Sequence, residues 1–151
     1  MKDITQKLVG ILREGSCAPQ IARIARKLKE PSTTIHYNIK KLEKEGMLRS
    51  CKAVFDHKKI GEGFSAYVLI SLNPDEYGDP ERIGSALAQH PEIESVDICT
   101  GGWEMVIKVH AKDMDAYYHF IRTVISRKGV AKTTTLASMR CVKGEFVLAA
   151  K

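Results

Sequence analysis

The sequence lacks any long apolar run. No segment approaches the ~18 consecutive apolar residues that indicate a membrane-spanning helix. The first residues also lack the apolar stretch that is typical of a secretion signal. We therefore expect a cytoplasmic protein that has no membrane partner.

Cysteine and histidine are few and scattered. The four cysteines, Cys17, Cys51, Cys99 and Cys141, form no C-x-x-C pair, and the five histidines include no closely spaced pair. This spacing argues against a zinc ribbon, a thioredoxin-type site and a disulfide scaffold, and it favours reduced thiols. The sequence therefore predicts neither a metal site nor a cofactor.

The common catalytic signatures are missing as well. The chain has no G-x-S-x-G, P-loop, dinucleotide-binding fingerprint or H-E-x-x-H motif, and none of its cysteines has the sequence signature of a nucleophile. We predict no catalytic residues and expect a protein that is not an enzyme.

Charged residues are distributed unequally between the two halves of the chain. Residues 1–60 contain 14 Lys or Arg against 6 Asp or Glu, a net charge of +8, whereas residues 61–151 contain 10 against 12, a net charge of −2. A length of 151 residues allows one ordinary domain or two small ones. The asymmetry indicates a polyanion-binding module joined to a second, mildly acidic part.

The first 46 residues have the apolar periodicity of three helices. Asp3 is a candidate N-cap of the first helix, and Ser32 is a candidate N-cap of the third, which is followed by Gly46. The four residues 29–32 separate the second and third helices, as the turn of a helix-turn-helix motif does. A short β-ribbon predicted in residues 47–55 would complete a winged-type domain.

These elements define an N-terminal helix-turn-helix domain over residues 1–55. The polar, glycine-bearing segment 56–63 is predicted to be a linker. Residues 64–151 are then predicted to form a second domain, in which the apolar residues have a different periodicity.

The second domain alternates strands with helices. Apolar and polar residues alternate from Phe64 to Asn73, which predicts a strand, and Asp79 and Asp113 are candidate caps of two helices. The resulting order is β-α-β-β-α-β, that of a ferredoxin-like fold, with an extra C-terminal strand at 145–150. The predicted fold class is therefore α+β.

One face of the predicted sheet has no helix to cover it. Groups such as Leu69 on that face would leave an apolar patch that monomers seldom expose. A partner subunit is the simplest cover, so the sequence favours a homo-oligomer.

The third predicted helix has one apolar and one polar face. Ile35, Ile39 and Leu42 cluster on the inner face, while the outer face carries donors and no carboxylate. Residues near its N-terminal end could reach base edges, and the lysines suit phosphates of duplex DNA. The candidate DNA-binding residues are Thr33, Thr34, His36, Tyr37, Lys40, Lys41 and Lys44.

Three stretches resemble the Lrp/AsnC (leucine-responsive, or feast/famine) transcriptional regulators. Residues 20–46 resemble the family's DNA-binding domain. The hairpin Thr100-Gly101-Gly102-Trp103-Glu104 is similar to its Thr-Gly-x-Tyr-Asp motif, and residues 129–135 are similar to its Gly-Val-x-x-Thr-x-Thr strand entry. The motifs occur in the family's order, and the resemblance extends over nearly the whole chain.

The resemblance implies a DNA-binding regulator with a C-terminal effector module. In this family the module forms homodimers that assemble further, often into octamers, and a small effector, usually an amino acid, binds between dimers. Carried onto this chain, the implied effector-binding residues are Tyr77, Gly101, Gly102, Trp103, Glu104, Thr133 and Thr135. Three positions depart from the family pattern: Asn38 stands where arginine is common, Trp103 replaces Tyr, and Glu104 replaces Asp.

Simpler interpretations of the effector residues stay open at this point. Gly101-Gly102 could be an ordinary two-residue hairpin turn, and Thr133 and Thr135 could be chosen for strand propensity. A function of another class is also open, namely an amino-acid-sensing regulatory subunit of a metabolic enzyme. That alternative does not explain the basic first half.

Overall fold

The computed structural model describes residues 4–127 and 129–148, which divide into two compact units between Phe55 and Asp56. The predicted cap Asp3 and the end of the predicted last strand, residues 149–150, lie outside the described residues. Within the described ranges, no helix has the length and apolar character needed to cross a bilayer.

The first unit contains three helices in the predicted order. They are α1 (Thr5–Arg13), α2 (Ile21–Leu28) and α3 (Ser32–Lys44). Its buried apolar side chains are Ala25 of α2 and Ile35 of α3. The periodicity predicts one apolar stripe on α1, formed by Ile4, Leu8, Ile11 and Leu12. Ile4, Leu8 and Ile11 are each about half exposed, and Leu12 is partly buried.

The turn between α2 and α3 is one residue shorter than predicted. Lys29 closes α2 in the left-handed region, with φ of 57°, where a glycine would be unstrained. Pro31 flanks α3 in an extended conformation, and Ser32 is already helical. The prediction that Ser32 caps α3 is therefore wrong, because Pro31 is the N-cap residue.

Residues 47–55 do not form the predicted β-ribbon. Their backbone pairs with the connection between α1 and α2 through an isolated bridge of Ser16 with Cys51. The Ala53 amide also donates to the Leu12 carbonyl at 3.0 Å. The segment therefore satisfies its backbone groups against α1 and its connection, so no hairpin is needed to pair them.

The second unit has the β-α-β-β-α-β order predicted for a ferredoxin-like domain. Its four-stranded antiparallel sheet has the spatial order β2-β3-β1-β4. The elements are β1 (Phe64–Leu72), α4 (Pro80–Leu87), β2 (Ile93–Ile98), β3 (Met105–Ala111), α5 (Met114–Phe120) and β4 (Val130–Ala137). A 3₁₀ turn at Pro74–Glu76 follows β1, and a π-helical segment at Ile121–Ile125 extends α5. The predicted α+β class is confirmed.

The core of this unit lies between the sheet and its two helices. Alternate residues of β1 from Ala66 to Leu72 are buried, as the period-two pattern predicts, and they pack with buried residues of α4 and α5. Asp79 and Asp113 cap these helices by accepting hydrogen bonds from the Arg82 and Ala116 amides. Both predicted caps are confirmed.

One prediction for the end of the chain is wrong. The apolar pattern predicts a strand over residues 130–142, whereas β4 ends at Ala137. The extra strand does not join the main sheet, because β5 (Lys143–Gly144) pairs with β6 (Val147–Leu148) in a separate two-stranded ribbon. Glu145 and Phe146 form its turn with φ values of 49° and 64°.

Candidate nucleic-acid interface and effector site

The helix α3 presents the predicted DNA-binding residues to solvent. Its Ile35 is buried in the first unit and Ile39 is half-buried, which fixes the rotation of the helix about its axis. All of the predicted DNA-binding residues are exposed: Thr33, Thr34, His36, Tyr37, Lys40, Lys41 and Lys44. One continuous helix surface therefore carries both the hydroxyl and imidazole groups and the three lysines.

The N-terminal half of this surface is concave. A cavity of about 490 Å³ lies where α3 meets the start of α2. Its lining residues are Ile21, Ser32, Thr33, His36, Tyr37 and Lys40. Tyr37 is 70% exposed, so its hydroxyl can reach a partner outside the protein.

Two lysines of α3 are paired with carboxylates. The helical pattern of the sequence placed no carboxylate on this face, so it did not predict these pairs. Lys40 Nζ lies 2.7 Å from the Glu43 carboxylate, and Lys41 Nζ lies 3.9 Å from that of Glu45. These pairs are exposed and hold each lysine only weakly. A DNA phosphate can therefore replace the carboxylate at small cost.

Asn38 turns back onto its own helix. Its Nδ2 donates to the Thr34 carbonyl at 2.8 Å, one turn earlier in α3. The Asn38 amide is therefore engaged within α3 itself.

The β2–β3 connection is longer than a two-residue turn. The strand pairing ends at Ile98 with Met105, and the Cys99 amide donates to the Glu104 carbonyl at 2.9 Å. Residues 100–103 thus form the loop, in which Gly101 has φ of 116° and Gly102 does not have a positive φ. Four residues instead of two therefore connect the last paired residues, so the interpretation of Gly101-Gly102 as a two-residue turn is wrong.

Glu104 anchors this loop to the end of β1. Its Oε2 accepts a hydrogen bond from the Leu72 amide at 2.9 Å, while its own amide donates to the Ile70 carbonyl at 3.1 Å. The Leu72 amide, followed by the Ser71 hydroxyl, lowers the pKa of the Glu104 carboxyl below its usual value. A fixed negative charge therefore lies where β1 ends, a role that residue type and spacing could not reveal.

Trp103 lies close to a cation from the neighbouring edge of the sheet. Lys132 Nζ of β4 is 5.4 Å from the centre of the Trp103 ring, within the range of a cation–π contact. Lys132 is paired in register with Ser71, beside the Glu104 contact. The structure thus brings Trp103, Glu104 and Lys132 to one end of the sheet, and Lys132 is absent from the predicted site.

The two predicted threonines of β4 point towards the helices. Thr133 and Thr135 are paired in register with Ile70 and Val68, whose side chains are buried beneath α4 and α5. Thr135 Oγ1 lies 2.6 Å from the hydroxyl of the buried Tyr117, and burial raises the pKa of that tyrosine. The Thr135 hydroxyl therefore already has a hydrogen-bond partner within the second unit, the Tyr117 hydroxyl.

Tyr77 lies apart from these contacts. It directly follows the 3₁₀ turn after β1, and it is 54% exposed. Among the described residues, its side chain makes no hydrogen bond to the loop at 100–103. Its place in an effector site stays a prediction.

The conformation and packing of Gly129 explain why the segment that leads into β4 begins with a glycine. It is buried with φ of 101°, and an added Cβ would lie 2.9 Å from Ile83 Cδ1. Its carbonyl accepts from the Asn73 amide at 2.8 Å, which ties the start of β4 to the end of β1. The motif thus has a structural role next to the candidate site.

The sheet face opposite the helices is partly apolar. Tyr67 and Leu136 on this face are 43% and 52% exposed, and Leu69 and Val106 are partly buried. Tyr67 pairs with Leu136, and Leu69 pairs with Val106, so these side chains form a continuous patch. We call these four residues the open-face patch.

Sequence and structure comparisons give a consistent result. The sequence pattern of the Lrp/AsnC ligand binding domain matches residues 65–148. An uncharacterised HTH-type transcriptional regulator of Pyrococcus furiosus is 30% identical over 145 residues, which cover 95% of this chain and 97% of the relative.

Solved structures share the fold. An AsnC family transcriptional regulator from Agrobacterium tumefaciens superposes with a TM-score of 0.75 at 22% identity, covering 99% of this chain and 97% of that chain. A transcriptional regulator from Neisseria meningitidis, solved as a complex with L-Met, gives a TM-score of 0.74 at 19% identity, covering 95% and 93%.

Proposed function

The chain belongs to the Lrp/AsnC family of transcriptional regulators, and from this premise we propose that it binds duplex DNA in a sequence-dependent manner through α3. The observation that carries the proposal is the exposed α3 surface, which combines three lysines with Thr33, His36 and Tyr37 while Ile35 holds the helix in place. In this assignment Lys40, Lys41 and Lys44 contact phosphates.

Base reading is assigned to the N-terminal half of α3. Thr33, Thr34, His36 and Tyr37 offer hydroxyl and imidazole groups beside the concave surface, where a major-groove edge would lie. We assign DNA binding to residues 1–55, the connection to residues 56–63, and oligomerisation and effector binding to residues 64–151. A dimer would read two half-sites about one helical turn, or a multiple of it, apart.

The effector assigned to the second domain is a free amino acid. The L-Met complex of the Neisseria relative supports this class of ligand. Glu104 supplies a fixed carboxylate for an ammonium group, and the Gly101 and Gly102 amides together with Lys132 suit a carboxylate. Trp103 would form an apolar wall, Thr133 lies on the adjoining strand, and Tyr77 is retained as a candidate. Thr135 contributes indirectly, because its hydroxyl is bonded to Tyr117.

Assembly is assigned to the open-face patch of Tyr67, Leu69, Val106 and Leu136. A second copy of this domain would cover the patch in a homodimer, and dimers would associate further, up to an octamer, as the family resemblance implies. Light scattering should therefore find residues 56–151 to be at least dimeric. A Leu69→Lys substitution should dissociate the dimer, whereas Lys112→Ala on an exposed loop should leave it intact.

The DNA assignment is tested by removing the three lysines together. DNA sites selected from a random duplex library supply the probe, since the operator is not fixed by the sequence. We expect the triple Lys40→Ala, Lys41→Ala, Lys44→Ala variant to bind at least ~100-fold more weakly and to reduce the magnitude of the log–log salt slope by about five units, because a dimer would lose six phosphate contacts.

A matched control removes the same charge elsewhere. Lys58, Lys59 and Lys112 are exposed in the second unit, and their triple alanine variant should keep the salt slope of the native chain. Equal losses in the two variants would show that affinity depends on net charge alone, which would contradict the assignment to α3.

The effector assignment is tested by calorimetry across the twenty amino acids. Glu104→Gln keeps an acceptor for the Leu72 amide but removes the charge, so it should weaken binding about tenfold or more. Asp97→Asn, on exposed β2, is the control and should bind normally. Absence of binding at millimolar concentration, or unchanged binding by the Glu104→Gln variant, would contradict the assignment of the effector site.

A further inference from the structure

Three potential metal ligands meet at the end of the sheet where β1 begins. His57 lies near the start of the second unit, Glu94 lies in β2, and His110 lies in β3. Each offers a donor atom, and these atoms all lie within 4.8 Å of one another. Two imidazoles and a carboxylate suit divalent transition ions such as Zn²⁺ and Co²⁺. We propose that these residues bind one such ion.

His110 supplies the strongest indication. It is 8% exposed, its Nε2 is hydrogen-bonded to Glu94, and its buried Nδ1 has no hydrogen-bond partner among the described residues. Burial raises the pKa of Glu94, but hydrogen bonds from His110 and Lys108 outweigh it and lower the pKa to about 2. An ion bound between the two side chains would take the place of this hydrogen bond, with His110 Nε2 and the Glu94 carboxylate as its ligands.

His57 supplies the second nitrogen. Its ring stacks on that of His110 with 3.7 Å between centroids and 6° between planes. Its Nδ1 lies 2.8 Å from a Glu62 carboxylate oxygen, which leaves Nε2 as the ligand atom and matches the outer carboxylate that metal-binding histidines often have. Parallel rings cannot direct two in-plane lone pairs to one point, so one ring must tilt when the ion binds.

Lys108 competes with the ion for Glu94. Its Nζ lies 2.8 Å from Oε2 and 3.0 Å from Oε1 of that carboxylate. The ammonium neutralises Glu94 when no ion is bound, and it must yield part of this contact when one binds. Removing Lys108 should therefore strengthen metal binding, which a purely structural ion pair would not do.

Metal binding would fasten the segment before β1 to the sheet. His57 lies in that segment, while the other two ligands lie on adjacent strands. The ion would cross-link three parts of the second unit that hydrogen bonds and ring stacking otherwise hold together. The three ligands lie outside the α3 surface and the loop at 100–103, whereas Lys108, which contacts Glu94, is also paired with Tyr67 of the open-face patch.

The test uses the full-length, untagged chain after removal of metal by a chelator. Calorimetric titration with Zn²⁺ should show one ion per chain, and Mg²⁺ should not bind. We expect His57→Ala to weaken Zn²⁺ binding at least about tenfold and Lys108→Met to strengthen it. His119→Ala, on exposed α5, is the matched histidine control and should bind as the native chain does.

Cobalt identifies the donor atoms. The Co²⁺ complex should show no thiolate charge-transfer band, because the ligands are nitrogen and oxygen, and the histidine ring signals of His57 and His110 should shift together in NMR spectra. His110 is buried, so His57→Ala and Glu94→Gln are the decisive variants.

Several results would overturn the proposal. They are absence of Zn²⁺ binding at about 100 μM, unchanged affinity in His57→Ala or Glu94→Gln, a thiolate band, or a Lys108→Met affinity no higher than that of the native chain.

Discussion

The two units of the chain differ in how many side chains hold them together. The second unit buries thirteen apolar or aromatic residues in one cluster between its sheet and helices, whereas among the described residues of the first unit only Ala25 and Ile35 are buried to the same degree. The helices α4 and α5 have aspartate caps, while α1, α2 and α3 have no side-chain capping bond. The part assigned to DNA is thus the less strongly packed part.

This difference has a physical consequence for function. A domain with few buried contacts unfolds locally at low cost and can adjust side chains on a partner surface, while a densely packed sheet holds its geometry. An α3 surface that contacts DNA benefits from the first property. An oligomer interface and an effector site benefit from the second.

The largest expected effect comes from the core of the second unit. Ile107→Ala removes a fully buried side chain in β3 and should lower the free energy of unfolding by about 2–5 kcal/mol. Ile35→Ala, in α3, should cost about half as much or less, because its sparse surroundings can collapse into the space. Thermal and denaturant unfolding of the full chain, followed by domain-specific NMR signals, measures both.

Equal losses in these two variants would contradict the comparison. Such a result would mean that Ile35 packs as tightly in solution as Ile107 does. The first unit would then be as rigid as the second.

A smaller effect is expected at the helix caps. Asp113→Ala removes the acceptor for the Ala116 amide at 2.8 Å and should destabilise the second unit by about 1 kcal/mol. Asp115→Ala, in the first turn of the same helix, is the control and should cost about 0.5 kcal/mol or less, because it only loses its interaction with the helix dipole. A denaturant midpoint that falls equally in both variants would contradict the capping role.

The smallest effect is expected at the turn before α3. Lys29 is strained at φ of 57°, so Lys29→Gly should stabilise the first unit by up to about 1 kcal/mol. Lys27→Gly removes the same charge inside α2 and should instead destabilise it by about 1 kcal/mol. Opposite shifts in the melting temperature of the first unit would confirm that backbone conformation, not charge, distinguishes the two positions.

The sequence predicted those elements whose signal is local. The alternation from Phe64 to Leu72 and the caps Asp79 and Asp113 each depend on neighbours within a few residues, and the structure contains all of them. The two faces of α3 were predictable in part: a helix period of 3.6 residues sorts Ile35 inward, whereas Leu42, predicted on the same inner face, is 41% exposed.

Predictions that depended on which backbone segments pair with each other were less successful. The sequence pattern of residues 47–55 predicts a β-ribbon, yet the backbone of this segment pairs with the connection after α1. The glycines at 101 and 102 read as a two-residue turn, yet the Cys99–Glu104 pairing leaves four residues in the loop. In both cases several pairings satisfy the same backbone groups, and long-range contacts select one of them.

The sequence by itself determined the three helices of the first unit, the β-α-β-β-α-β order of the second, the basic character of the first half and the residues that α3 presents, because these depend on composition and on short-range periodicity. Only the tertiary structure decided that the Glu104 carboxylate accepts from the Leu72 amide and that His57 stacks on His110. These pairs are separated by 32 and 53 positions, and no local pattern encodes them. The antiparallel register of β1 with β3 and the packing of the segment before β1 bring them together, so their chemistry exists only in the folded chain.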